Sequence, residues 1–465
     1  QVFGATHAAL AAKFGNAHPL TLASLAGIVQ VTAATGQWER AREKGTLVQS
    51  GLHQYVARIV PVLRQHEQLA FLRVSHKQLL DMTLSLALAR HDDQAMADAS
   101  AEWALNGKAI TFPVLARREA LLRAARKDQG GIVQEIMQVR KKAAELILGP
   151  PGGASPKSDR KTRSRQIDHL RKREEELVNR LAASQRALVG GDRWVSLQSV
   201  RDALPDDAIL IDVVRLRRFD FAPDAGPDRW REYRYVAWVV SPKTLHLVDL
   251  GEAEALERCV ADYRRALARR DRAAAAKALE QLSKRLLGPH RPHAAAAKRW
   301  ILSPDASLWL VAWPALLLED QRHLIERHEL YFVVGARNLA GREKKPHQSA
   351  PLIVADPDFD AAPSKPASPQ PPAPTDRDTK PDSRARELAT RRWSRLPGTA
   401  AEAKAVASSL GRRGPAPVLL TGDQAREERL KGARGPRVLV LSTHGFFLSW
   451  QPWHAAAALP GDLRG

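Results

Sequence analysis

Val438-Leu439-Val440-Leu441 runs into Ser442-Thr443-His444-Gly445-Phe446-Phe447. An unbroken apolar run that ends at a polar corner reads as a strand buried on both faces, the kind found in sheets covered by helices. In open α/β sheets the functional groups lie just outside the carboxyl ends of the strands, which is where this corner falls. An imidazole there takes a proton from a thiol or hydroxyl, because its pKa lies near neutrality. Gly445 has no side chain, so its N–H can approach a developing oxyanion. The plainer alternative is that His444 ends a strand and Gly445 makes a turn. A histidine so placed commonly activates a thiol, yet the only cysteine is Cys259, far upstream. Leu256-Glu257-Arg258-Cys259-Val260 reads as an amphipathic helix, in which a free cysteine serves as a small buried hydrophobe.

Working outward, the preceding segments alternate in the same way. Val418-Leu419-Leu420 predicts a strand and 424–432 a helix, and Thr399 with Glu402 predicts a capping box opening a helix to about Leu410. Leu352-Ile353-Val354-Ala355 is a further strand. Before it, 208–214, 233–240, 244–248, 300–305, 308–318 and 330–334 are short apolar runs bounded by Pro, Asp and Gly, and 252–287 reads as one long helix holding Cys259. Strands alternating with helices imply an α/β sheet with flanking helices. Residues 361–390, rich in Pro, Ser, Asp and Lys in their first two thirds, read as a disordered insertion. Cofactor and metal signatures are absent: no phosphate-binding glycine loop, no Gly-x-Ser-x-Gly, no paired cysteines, and no His-Glu-x-x-His. His290 and His293 sit among Arg and Pro and are expected in a solvent-exposed loop.

The N-terminal part is helical. Leu22, Leu25, Ile28 and Val29 recur at helical spacing, and Gly36, Trp38 and Ala41 follow as a turn, a ring to fill a groove and a small residue for close approach. A generic helix pair would show the same features. Residues 56–149 continue the helical pattern, Pro150 to Pro156 break it, and a charged helix is expected over 161–188. The organisation read from this is 1–55 as the end of a helical repeat array, 56–190 as a connecting helical region and 191–465 as the α/β domain.

Composition narrows the classes. The 465 residues are 44% hydrophobic and 26% charged, a globular balance, and one cysteine excludes a disulfide framework. A cytoplasmic location is expected. The longest apolar run, 308–318, is broken by Pro314 and too short to span a bilayer. Gln1 and the missing leader suggest an internal piece of a longer protein. The net charge of +21 is spread along the chain, and its densest cluster, Arg160 to Arg173, runs into Glu174-Glu175-Glu176 as on a solvated helix. Only 6% of residues are aromatic and none interleave with that cluster. Specific nucleic-acid binding is therefore not expected.

The ordered set 301–305, 308–316, 324–327, 351–359, 396–402, 420–422 and 441–447 resembles the CHAT domain, a family of caspase-like cysteine peptidases that commonly follow tetratricopeptide repeats. The resemblance covers roughly Trp194 onward, and the N-terminal helices resemble the end of such a repeat array. It implies a caspase-like sheet with flanking helices, His444 as the catalytic histidine and Gly445 as a backbone oxyanion donor. The family's nucleophile follows a further strand beyond the histidine, which this sequence does not reach, so the chain alone should be inert. The implied substrate is a protein or peptide, with a protein partner engaged through the repeats; no cofactor, metal or membrane is implied. A non-catalytic repeat-bearing scaffold is the alternative. Asp356 and Asp358, past the end of another strand, are expected to line the pocket reading the residue before the cleaved bond, although Asp-Pro-Asp is also an ordinary turn sequence.

Overall fold

Two helical hairpins open the computed structural model, which describes residues 2–59, 76–108, 193–340, 349–361, 393–412 and 414–444 and a few isolated residues between 72 and 177. The expected proline break at 150–156, the insertion at 361–390 apart from Ala361, nearly all of the charged segment 161–188, and Gly445, Phe446 and Phe447 lie outside the described residues. The chain forms two compact units, Gln1–Arg342 and Glu343–Ala457.

In the first unit, α1 (Val2–Phe14), α2 (Pro19–Ala34) and α3 (Trp38–Ile59) pack in sequence. His18 caps α2 by accepting from the Leu20 N–H. Gly36 ends α2 at φ +74° while Gln37 N donates to Thr32 O and Gly36 N to Ala33 O, a termination that needs the left-handed backbone glycine adopts cheaply. Ala41 is fully buried where α3 approaches its neighbours. A second hairpin, α4 (Lys77–Ala89) and α5 (Gln94–Gly107), stacks beside the first. Asp93 caps α5 by accepting from the Met96 N–H.

A five-stranded sheet follows in the spatial order β3-β2-β1-β4-β5, made of β1 (Ala208–Phe219), β2 (Trp230–Val240), β3 (Leu245–Glu252), β4 (Arg299–Ser303) and β5 (Glu329–Phe332). The first three are antiparallel neighbours, while β4 and β5 run parallel to β1. Side chains alternate between faces along each strand. On one face Leu210, Val214, Leu216, Val236 and Trp238 pack with Met82, Leu86, Met96 and Trp103 of α4 and α5. On the other, Ile209, Ile211, Val213, Tyr235 and Ala237 pack with Leu256, Val260, Leu282 and Leu286. Burial on both sides is why β1 reads as a continuous apolar run. Helices expected only to connect the repeats to the sheet thus form one layer of a three-layer core.

Polar ties fix that layer. Lys108, just past α5, is buried and donates to Asp212 Oδ1 (2.7 Å), Val213 O (2.8 Å), Ser303 O (2.6 Å) and Ser303 Oγ (2.7 Å). Lys77 pairs with buried Asp81 and donates to Arg215 O, and Asp81 accepts from the Arg217 N–H. Trp238 Nε1 donates to Ser100 Oγ at 3.0 Å and Phe219 N to Ser85 Oγ at 2.8 Å. A buried charge is tolerable only when so satisfied.

Three sequence expectations fail in this unit. The single long helix is two, α7 (Ala253–Ala268) and α8 (Arg272–Leu287), set between the short α6 (Leu197–Arg201) and α9 (Arg291–Ala294), because Arg270 turns at φ +56° and Asp271 caps α8 by accepting from the Ala274 N–H. The apolar run 308–318 contains 3₁₀ turns (Ala306–Leu310 and Trp313–Ala315), as Pro314 dictates. His293 is exposed, stacked on His246 at 3.9 Å, but His290 is fully buried with neither ring nitrogen hydrogen-bonded. Burial and the nearby His293 charge hold the His290 imidazole down at about 4. Among the described residues no helix is long and apolar enough to cross a membrane.

Candidate functional site

The second unit carries β6 (Leu352–Pro357), β7 (Val418–Gly422) and β8 (Leu439–Ser442) in a parallel sheet ordered β7-β6-β8. Ile353 and Ala355 turn toward α10 (Pro397–Gly411), where they pack with Ala403, Val406, Ala407 and Leu410. Ala355 pairs in register with both Thr421 and Ser442, so the three strands end along one rim. Ser442, Thr443 and His444 of the corner, with Asp356 and Asp358, stand at or just past that rim. β8 lies at an edge of the sheet, and its outward residues Leu439 and Leu441 are 46% and 54% exposed.

His444 follows β8 by two residues and is half-buried. Its ring is flanked by Trp393 at 5.2 Å and Phe359 at 5.7 Å between centroids, both tilted steeply to it. Aromatic edges and faces at this spacing restrict the imidazole through shape and quadrupole contacts. Nδ1 is buried without a hydrogen-bond partner, which leaves Nε2 as the nitrogen turned outward. Ser442 Oγ donates to Glu402 Oε2 at 2.7 Å, tying the end of β8 to α10. Thr443 is exposed. Neither hydroxyl forms a hydrogen bond to the imidazole.

Asp356 is 2% exposed, has φ +43°, and accepts from Arg395 and from the Leu396 N–H (2.8 Å). The Arg395 guanidinium and the Leu396 N–H hold its carboxyl below the usual value, with burial opposing them. Its own N–H donates to Thr399 Oγ1 at 3.0 Å. Asp356 thus anchors the start of α10. The capping box expected from Thr399 and Glu402 does not form: Pro397 starts the helix two residues earlier, Thr399 Oγ1 donates to Leu396 O, and Glu402 is taken by Ser442. Asp358 is half-buried; its N–H donates to Gly422 O at 3.1 Å and its Oδ1 accepts from the Asp360 N–H. Arg395 pairs directly with Asp356 and acts on Asp358 only through its charge; among the described residues Asp358 forms no ion pair.

Sequence reading missed Trp393, Phe359 and Arg395, and gave Glu402 a capping role in place of its bond to Ser442. Phe359 had a signal, lying one residue past Asp-Pro-Asp. Trp393 and Arg395 follow a proline-rich stretch and gave none. Cys259 belongs to the first unit, on α7, half-buried against the core between the five-stranded sheet and α7 and α8. Among the described residues no group of three or more His, Cys, Asp or Glu is arranged to hold a metal ion.

The family described as CHAT domain matches residues 276–462. The match takes in most of α8, β4, β5 and the rim with His444, Asp356 and Asp358, covers the Gly445 position, and leaves Cys259 outside. No curated protein matches the chain.

Proposed function

We propose that His444 is the base of a caspase-like cysteine endopeptidase whose thiol is not among these residues. The observation that carries the reading is the placement of a half-buried imidazole, with Nε2 outward, at the shared carboxyl rim of three parallel strands within the CHAT match. β8 ends the order of described strands, and a further parallel strand paired to it would bring its own carboxyl end beside His444. A cysteine there would lose its proton to Nε2, the thiolate would attack a peptide carbonyl, and the Gly445 N–H would receive the oxyanion. The imidazolium then protonates the leaving amine, and water releases the acyl group. Trp393 and Phe359 position the ring. Asp358 faces the residue before the cleaved bond and favours a basic one, while Asp356 supports the same loop. The helical hairpins serve as the end of a tetratricopeptide-type array that engages a protein partner.

One observation favours a second reading, a non-catalytic scaffold: the sole cysteine, Cys259, lies on a helix outside the match. The parent protein separates the two. Under the peptidase reading a thiol-directed acyl probe labels a cysteine on a strand following His444, and His444→Ala abolishes the labelling. Absence of such a cysteine, or labelling that survives the substitution, would favour the scaffold.

A further inference from the structure

An open cleft of about 400 Å³ lies in the first unit, between the end of α2 and start of α3, the end of α4, and the chain leaving β1. Its volume falls within the roughly 300–1,000 Å³ of ligand-binding pockets. Trp38, Phe219 and Phe221 supply aromatic walls, and Leu88 and Ala89 of α4 complete the apolar surface. Phe219 is itself braced by Trp230, ring to ring at 5.0 Å, so this wall is rigid. The shape accepts one large flat side chain.

The charges around it decide what accompanies that side chain. Asp220 is already engaged, accepting from Arg231 Nε (3.2 Å) and from the Ala222 N–H (3.0 Å). Arg218 shares Glu232 at 3.0 Å. Arg90 follows Ala89 directly and lies over the Trp38 ring at 5.8 Å; its Nε is buried without an acceptor, and among the described residues it forms no ion pair. The uncompensated charge at the Trp38 wall is therefore positive. A guanidinium stacked on an indole presents its remaining N–H groups in a fork that suits a carboxylate.

We propose that this cleft binds a peptide segment in which an aromatic residue is followed by an acidic one, the ring entering between Trp38 and Phe219 and the carboxylate meeting Arg90. A peptide is favoured over a small molecule because the cleft is open along the exposed Ala222 and Pro223, whereas small-ligand sites enclose most of their occupant. The site is independent of the His444 rim and stands whether or not that rim is catalytic.

Isothermal titration of the 465-residue chain with acetyl-Gly-Phe-Glu-Gly-amide tests this. One-to-one binding is expected, with a dissociation constant below about 1 mM. Acetyl-Gly-Phe-Lys-Gly-amide should bind at least about five-fold more weakly. Ala89→Trp, which fills the cleft from an exposed position, should abolish binding, and Arg90→Gln should erase the preference for Glu over Lys, a readout that holds even if Ala89→Trp fails to fold. No heat at several millimolar peptide, binding unchanged in a folded Ala89→Trp, no discrimination between the peptides, or phenylacetate binding as tightly as the peptide would each overturn the proposal.

Discussion

In the first unit Lys108 and Ser303 stand 2.7 Å apart, the spacing of an amine beside a nucleophilic hydroxyl, and Asp212 completes the cluster. In the second, a single imidazole stands at a strand end with one nitrogen turned out. The residue types alone would favour the first cluster as the chemical site. Access reverses the choice: Ser303 is 0% exposed and Lys108 8%, sealed between α5 and the sheet, while His444 lies on a rim. Both units place polar groups at or near the ends of parallel strands, but the first spends them on holding helices to the sheet. A reactive-looking set is a site only where substrate can reach it.

The comparison breaks first at Lys108. Lys108→Met leaves Asp212 charged and buried without its partner, which typically costs about 3–5 kcal/mol. Hydrogen exchange should show lost protection in β1 and β4 with β6 to β8 unchanged; a loss below about 1 kcal/mol, or equal loss in both sheets, would erase the distinction. Next comes the difference in cover. Ile211→Ala, in the doubly covered sheet, should lower stability by about 2–5 kcal/mol, whereas Leu441→Ala, half-exposed on β8, should stay within about 0.5 kcal/mol in denaturant unfolding. Comparable losses would mean that β8 is as fully packed as β1.

His290 sharpens the contrast through pH. Its folded pKa of about 4 lies below the ordinary 6.5, so the unfolded chain binds the proton first as the solution acidifies. Stability from this group is complete above about 6.5 and declines as pH falls toward 4, by up to about 3 kcal/mol. His290→Leu should flatten that part of the stability profile, and an unchanged slope would contradict the burial of an unpartnered ring.

Much of the fold was legible. Leu352 to Ala355 and Ala208 to Val214 are strands whose burial leaves an uninterrupted apolar signature, whereas the same signature at Val438 to Leu441 gives a strand with Leu439 and Leu441 half-exposed, not the one buried on both faces that the sequence led us to expect. What escaped was local and competitive. Asp271 carries an N-cap signal, but the helical pattern on both sides hides a three-residue interruption. Thr399 and Glu402 have capping-box spacing, yet Pro397 set the helix start and tertiary partners claimed both side chains. His290 reads as exposed by its neighbours and is buried because a short turn folds it into the core. At the rim, His444 was legible from strand and corner together, while Trp393 and Arg395 arrive through chain reversal, which no local spacing records.

The most direct test is chemical. Diethyl pyrocarbonate footprinting of the 465-residue chain near pH 7, read by peptide mass spectrometry, compares half-buried His444 with fully buried His290 in one experiment. The account predicts rapid modification of His444 through its outward Nε2 and protection of His290 until the first unit unfolds. Protection of His444, or reaction of both rings at the same rate, would contradict an accessible base at the rim.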